Sequence, residues 1–233
     1  MFVCGNPTNG NDDCSGDGPH GSTCTSHTFN VVNANPVAVD DGTALTPFFS
    51  VTEDDDALVI RDDLNRDVLE NDTDIDSGLG DTKAVNTFFT GSTIGTVLPG
   101  AGSFTYNPNS EFEHVDTNEF EIDSFTYTVI DNNGGISDNA ATVYIKVNGV
   151  NDAPVANLDS IEMNIGATAT TLVGGNTSVL TNDTDVDIEP LTAVLETPPL
   201  FGSLSLNSNG TFSYTHNGSN NLVDSFTYRA SDD

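Results

Sequence analysis

Apolar residues recur at every second position in several short runs of this chain. Phe104 and Tyr106 alternate with Ser103 and Thr105; Phe125, Tyr127 and Val129 share one face, as do Phe226, Tyr228 and Ala230. In "ATVYIKV" (141–147) the positions Ala141, Val143, Ile145 and Val147 alternate with Thr142, Tyr144 and Lys146. A two-residue rhythm puts successive side chains on opposite faces, so these runs predict half-buried β-strands. Turn signals separate them, for example "NNGG" (132–135) and "NSNG" (207–210). The nearest approach to a helical period is "DALVIRDDLNRDVLEN" (56–71), whose aspartates favour loop and short strand instead.

The runs come in two ordered sets. "ANPVAVDD" (34–41) returns as "DAPVANLD" (152–159), and "VLENDTDID" (68–76) as "VLTNDTDVD" (179–187). "GSFTYNPN" (102–109) returns as "GTFSYTHN" (210–217), and "DSFTYTVID" (123–131) as "DSFTYRASD" (224–232). The offset shrinks from 118 through 111 and 108 to 101, so the second copy is shorter. Such self-similarity marks a repeat architecture. The expected fold is all-β: two tandem antiparallel immunoglobulin-like sandwiches over 33–150 and 151–233, after an N-terminal segment 1–32, with the second copy lacking its last strand. The first copy ends on "ATVYIKVNGV" (141–150), whereas the second stops at "DSFTYRASDD" (224–233).

Charge narrows the partners. The 233 residues carry 36 Asp and Glu against 5 Lys and Arg, a formal net charge of −31. Such a surface repels phosphate backbones and anionic headgroups, which argues against nucleic acid, and no apolar run approaches the roughly 20 residues of a membrane span. Hydrophobic residues at 36% with 13 Phe and 5 Tyr indicate a chain that folds. "MFVC" is too short for a signal peptide, so an export signal is expected to have been removed or to lie elsewhere.

The acid is concentrated. Asp72, Asp74 and Asp76 stand at i, i+2 and i+4, as do Asp183, Asp185 and Asp187, with Glu189 nearby. Carboxylates about 5 Å apart repel by roughly 1 kcal/mol in water and about 3 kcal/mol near a protein surface. Two readings are open: solvated acidic turns, or oxygen ligands wrapped around a hard cation, Ca2+. An EF-hand is excluded, because Ser77 and Ile188 stand where its loop needs Gly, and Lys83 and Val194 where it needs a bidentate Glu.

These motifs carry a resemblance. "VNGVNDAPVA" between the copies, "VLxNDTDxD" inside each and "DSFTYTVID…GGISDNAATVYIKV" resemble tandem cadherin-like repeats, with their VCBS-type relatives, of secreted bacterial adhesins and surface fibres. The resemblance covers about residues 33–233. It implies an immunoglobulin-like sandwich, calcium at loops and domain junctions, an extracellular location and a role in adhesion or scaffolding. It adds Asn151 and Asp152 as junction ligands, with Asp131 and Asp232, each closing an "FTY" strand, as further candidates.

Enzyme signatures are missing from the sequence: no G-x-S-x-G, H-E-x-x-H or P-loop, and no Trp to line a sugar cleft. His20, His27, His114 and His216 are scattered without metal spacing. Sequons occur at Asn71, Asn176, Asn182, Asn209 and Asn217; Asn176, Asn209 and Asn217 are the candidate glycan carriers, because the other two sit in the acidic loops. Cys4, Cys14 and Cys24 allow one disulfide with a thiol left over, or bridges between chains.

The segment "SGDGPHGSTCTSHTFNVVNANPVA" (15–38) has the same order of features as 131–156, the end of a first-type copy. It reads either as a piece of a longer tandem array or as a strand donated to the open second copy of a neighbouring subunit, making a head-to-tail homopolymer. The expected function is a non-catalytic, calcium-binding extracellular filament or stalk subunit. The alternative is an adhesin module that grips a glycan or a cell-surface receptor.

Overall fold

The computed structural model describes residues 32–55, 58–59, 67–77, 80–99 and 104–232. Residues 1–31, and with them most of the proposed donor segment, all three cysteines, His20 and His27, lie outside the described residues.

The first copy contributes a small hairpin, β1 (Gly42–Thr43) with β2 (Thr46–Pro47), then β3 (Phe49–Thr52), β4 (Leu58–Val59), β5 (Lys83–Phe89), β6 (Thr96–Pro99), β7 (Phe104–Asn107), β8 (Phe120–Asp131) and β9 (Ala141–Asn148). Two sheets face each other, ordered β3-β9-β8-β5 and β4-β7-β6. The two-residue rhythm is borne out: β9 alternates buried and half-buried along its whole length, and Phe125, Tyr127 and Val129 are buried in β8. Phe104 sits between Phe49 (centroids 5.1 Å apart, 79°) and Phe125 (4.6 Å, 75°) in edge-to-face contacts. Such pairs add about 0.5–1.5 kcal/mol beyond their burial.

One pairing departs from the antiparallel expectation. β3 runs parallel to β9, with Phe49 opposite Ile145 and Val51 opposite Val147. A tight hairpin forces antiparallel neighbours, but these strands are joined through the whole copy, so connectivity leaves their direction free. The result is a mixed sheet in which the first edge strand lies along the last.

The second copy contributes β10 (Thr168–Ala169), a 3-10 turn at Val179–Asn182, β11 (Thr192–Thr197), β12 (Gly202–Leu206), β13 (Phe212–His216) and β14 (Thr227–Ser231). Its sheets are β10-β13-β12 and β11-β14. The first of these reproduces β4-β7-β6 and the second reproduces only β8 with β5. Nothing described occupies the places of β9 and β3. A separate core forms around Leu172, Val179, Ala193, Phe212 and Tyr214, with Phe226 and Tyr228 only partly covered.

Two glycines show why the copies share their shape. A Cβ on Gly95 would meet the Tyr106 ring at 2.6 Å, and one on Gly202 the Tyr214 ring at 2.3 Å. Each tyrosine lies across a bare backbone and donates its hydroxyl to an aspartate: Tyr106 to Asp123 Oδ2 at 2.7 Å, Tyr214 to Asp224 Oδ2 at 2.6 Å. Those carboxylates in turn accept backbone N–H groups, from Ile94 and Gly95 in the first copy and from Leu200 and Phe201 in the second.

Candidate metal centre at the acidic loops and the linker

The members of each aspartate triplet do different things. Asp72 is buried and turned inward: Val39 N–H donates to its Oδ1 at 2.7 Å, and the Tyr127 hydroxyl lies 3.2 and 3.1 Å from its two oxygens. Tyr127 also donates to the Val68 carbonyl at 2.5 Å. The second copy repeats this arrangement. Tyr228 donates to the Val179 carbonyl at 2.8 Å and to Asp183 Oδ2 at 3.0 Å, and Asn157 N–H donates to Asp183 Oδ1 at 2.8 Å. The first aspartate of each motif therefore ties the acidic loop to the "FTY" strand and to the incoming chain. Burial is the main reason the Asp72 carboxyl is pushed up from its ordinary range.

Asp74 belongs to another cluster. It lies with Asp81 and Asp131, all three buried, each offering an oxygen within 4.8 Å of the others. Asp74 Oδ2 and Asp81 Oδ1 are buried without a hydrogen-bond partner. The other oxygens are held in place: Asp76 N–H donates to Asp74 Oδ1 at 2.9 Å, Asn133 Nδ2 to Asp81 Oδ2 at 2.7 Å, and Asn133 and Gly135 N–H to Asp131 Oδ1 at 2.8 Å. Asp76 is half-buried and stands outside this trio. Asp81 was not predicted, since no short motif joins it to Asp74.

The linker holds a second cluster. Oxygens of Asp54, Glu113 and Asp152 lie within 4.8 Å of one another. Beside them, Glu53 Oε1 accepts Val150 N–H at 2.6 Å, Asp187 Oδ2 accepts Asp152 N–H at 2.7 Å, and Asp185 Oδ1 accepts Asp187 N–H at 3.0 Å. Glu53 Oε2, Asp152 Oδ2, Asp185 Oδ2 and Asp187 Oδ1 are buried and unpartnered. Burial first, then neighbouring carboxylates, pushes Glu53 up to about 7 and raises Glu113 and Asp152. Asn151 donates to Asp232 Oδ2 at 3.1 Å, which joins the end of the last strand to the linker. Glu53, Asp54 and Glu113 also escaped sequence reading: they lie in turns distant in sequence from the linker.

The donor sets fit a hard divalent cation. They are oxygen only, several of those oxygens are buried with no hydrogen to accept, and repulsion among them would be relieved by positive charge. Asp74, Asp81 and Asp131 would hold one such ion; Asp54, Glu113 and Asp152, with Glu53, Asp185 and Asp187 at hand, would hold another.

The remaining candidates lie on the surface or fasten loops and turns. Asn176, Asn209 and Asn217 are exposed. Asn71 Nδ2 donates to the Val39 and Asp40 carbonyls, and Asn182 Nδ2 to the Leu158 carbonyl, so both are engaged in fastening the loops. His114 pairs with Glu121 at 3.1 Å on the surface, while His216 Nδ1 accepts Gly166 and Gly218 N–H inside a turn. Among the described residues no helix is long and apolar enough to cross a membrane.

The chain has similarity to several known proteins. Among solved structures, human CDH23 EC21-23 is 16% identical with a TM-score of 0.44, the match covering 84% of this chain and 68% of that one. Protocadherin gamma B2 extracellular cadherin domains 3-6 is 14% identical with a TM-score of 0.36, over 85% of this chain and 47% of that one. Mouse protocadherin-24 EC1-3 is 13% identical with a TM-score of 0.36, over 78% of this chain and 57% of that one. No curated protein sequence matches the chain. The model of the bacterial cadherin-like domain matches residues 33–149 and again 151–233, and the chain therefore belongs to that family.

Proposed function

We propose that this protein is a non-catalytic, calcium-stiffened extracellular structural subunit, built from an N-terminal segment (1–32) and two cadherin-like repeats (33–150 and 151–233). Members of the family are typically extracellular adhesion or structural modules. The reading rests on the cluster of carboxylates at the linker, where Glu53, Asp152, Asp185 and Asp187 each keep a buried oxygen without a partner. A divalent ion there bonds to residues of both repeats and limits their bending. Subunits join head to tail into a surface filament or stalk, residues 1–32 of one copy supplying the strand that the second repeat of the next copy lacks.

Thermal unfolding of the full chain in calcium and in chelator tests the ion. Extracellular modules of this kind bind at about 10⁻⁴–10⁻³ M, so millimolar calcium is expected to raise the melting temperature. Negative-stain images should show fibres that straighten in calcium and curl in chelator. Identical melting curves in the two buffers would overturn the calcium reading, and particles that stay monomeric at high concentration would overturn the filament.

A further inference from the structure

The open side of the second repeat has two walls. One is β14, which among the described residues pairs on one side only, with β11. The other is the stretch 160–165, "SIEMNI", whose Ile161, Met163 and Ile165 keep the two-residue rhythm of a strand although it forms none. No backbone–backbone hydrogen bond joins Ile161, Glu162 or Met163 to another described residue. Between the walls lies a cleft of about 970 Å³ lined by Ile161, Met163, Tyr214, Leu222, Phe226 and Tyr228. Leu222 is 82% exposed in it, and Leu158 at its margin fully so. In the first repeat the same slot is filled: β9 lies between β8 and β3, hydrogen-bonded to both.

A strand that merely extended β14 would leave Ile161 and Met163 only half-buried, as they are now, and the stretch 160–165 without a strand neighbour. One that entered as β9 does would cover both walls. The segment 23–32, "TCTSHTFNVV", has the sequence for it. At an offset of 118, Phe29, Asn30, Val32, Asn33 and Pro36 stand against Val147, Asn148, Val150, Asn151 and Pro154. Thr23, Thr25, His27 and Phe29 then take the inward places of Ala141, Val143, Ile145 and Val147. Residues 18–39 contain no carboxylate, so the segment can approach this acidic chain without adding to its self-repulsion.

Resting on the strand donation set out above, we propose that residues 23–32 of a second copy enter as an interior strand, antiparallel to β14, and draw 160–165 into a parallel edge strand on their far side. Transferring the β8–β9 register sets Thr23 opposite Tyr228, Thr25 opposite Phe226, His27 opposite Asp224 and Phe29 opposite Leu222. Docking therefore completes two strands, the donated one and the recipient's own, in the way β3 and β9 complete the first repeat.

Hydrogen exchange on the full chain decides the matter. In a T25D/F29D variant the donor is disabled and the acceptor is intact. A synthetic peptide of residues 21–34, with Cys24 replaced by Ser, is then added. The expected result is at least a tenfold slowing of amide exchange in both 227–231 and 161–165, with no slowing from a peptide carrying Phe29→Asp. Slowing in 227–231 alone would overturn interior insertion while leaving donation standing. No slowing in either stretch, with a wild-type chain that is monomeric at every concentration, would overturn both. Both stretches already protected in the dilute variant would mean that the slot is filled from within one chain, which also overturns the proposal.

Discussion

The two repeats are built from nearly the same anchors, yet they bury their aromatic residues to different depths. Phe125 and Tyr127 are buried, whereas their counterparts Phe226 and Tyr228 are only partly covered. The local chemistry is shared: each tyrosine hydroxyl reaches a carbonyl and an aspartate, and each "FTY" strand pairs with the strand after the acidic loop. The difference is the neighbour. Among the described residues β8 is flanked on both sides, β14 on one. Alternation in a sequence thus says which side chains face inward, while the adjacent strand decides how far they leave water.

The sharpest test of that contrast is truncation of the paired phenylalanines. Phe125→Ala should cost about 3–5 kcal/mol, the range for a buried aromatic residue in a closed core. Phe226→Ala should cost less than half as much, and urea unfolding followed separately for each repeat reads the ratio. Tyr127→Phe comes next: it strips the hydroxyl from buried Asp72 and the Val68 carbonyl, at a cost of about 1–3 kcal/mol. Tyr228→Phe is expected to cost less, because Tyr228 and Asp183 are only half-buried. Equal losses in either pair would break the comparison.

Calcium sharpens it from another side. Asp187→Asn should weaken binding at the linker by about tenfold, worth roughly 1.4 kcal/mol, and leave the Asp74, Asp81, Asp131 cluster unaffected. Asp81→Asn should do the reverse, and calcium titration calorimetry separates the two sites.

A separate effect should appear with pH, in chelator. Burial pushes Asp41 from 3.8 up to about 8, so the folded state holds a proton that the unfolded chain has already released. Stability should therefore fall as pH rises from about 4 to about 8, and Asp41→Asn should flatten that slope in melting temperature. The smallest change expected is at Ile188, a β-branched residue at φ 62° and 83% exposed. Ile188→Gly relieves the left-handed strain without losing packing, so it should leave stability unchanged or raise it by up to about 1 kcal/mol.

The strands and the repeat were legible because each rests on a short-range rhythm or a recurring motif. The acidic loops were legible only in part. Their i, i+2, i+4 spacing suggested oxygens wrapped around one ion, but that requires the three carboxylates to converge. Thr73 bridges to Val37 and the chain then turns, so Asp72 points to Tyr127 while Asp74 meets Asp81 and Asp131. Glu53, Asp54 and Glu113 were invisible for a different reason. Nothing local marks a carboxylate whose neighbours arrive from about 40 to 100 residues away; only the folded topology brings them to the linker.

The grip of Glu53 on the Val150 amide, matched by that of Asp187 on the Asp152 amide, has a mechanical corollary. Tension along the chain would meet main-chain clamps on either side of Asn151 before it reached an ion held by the linker carboxylates. Removing calcium should then soften the hinge and widen its swing without letting neighbouring repeats part.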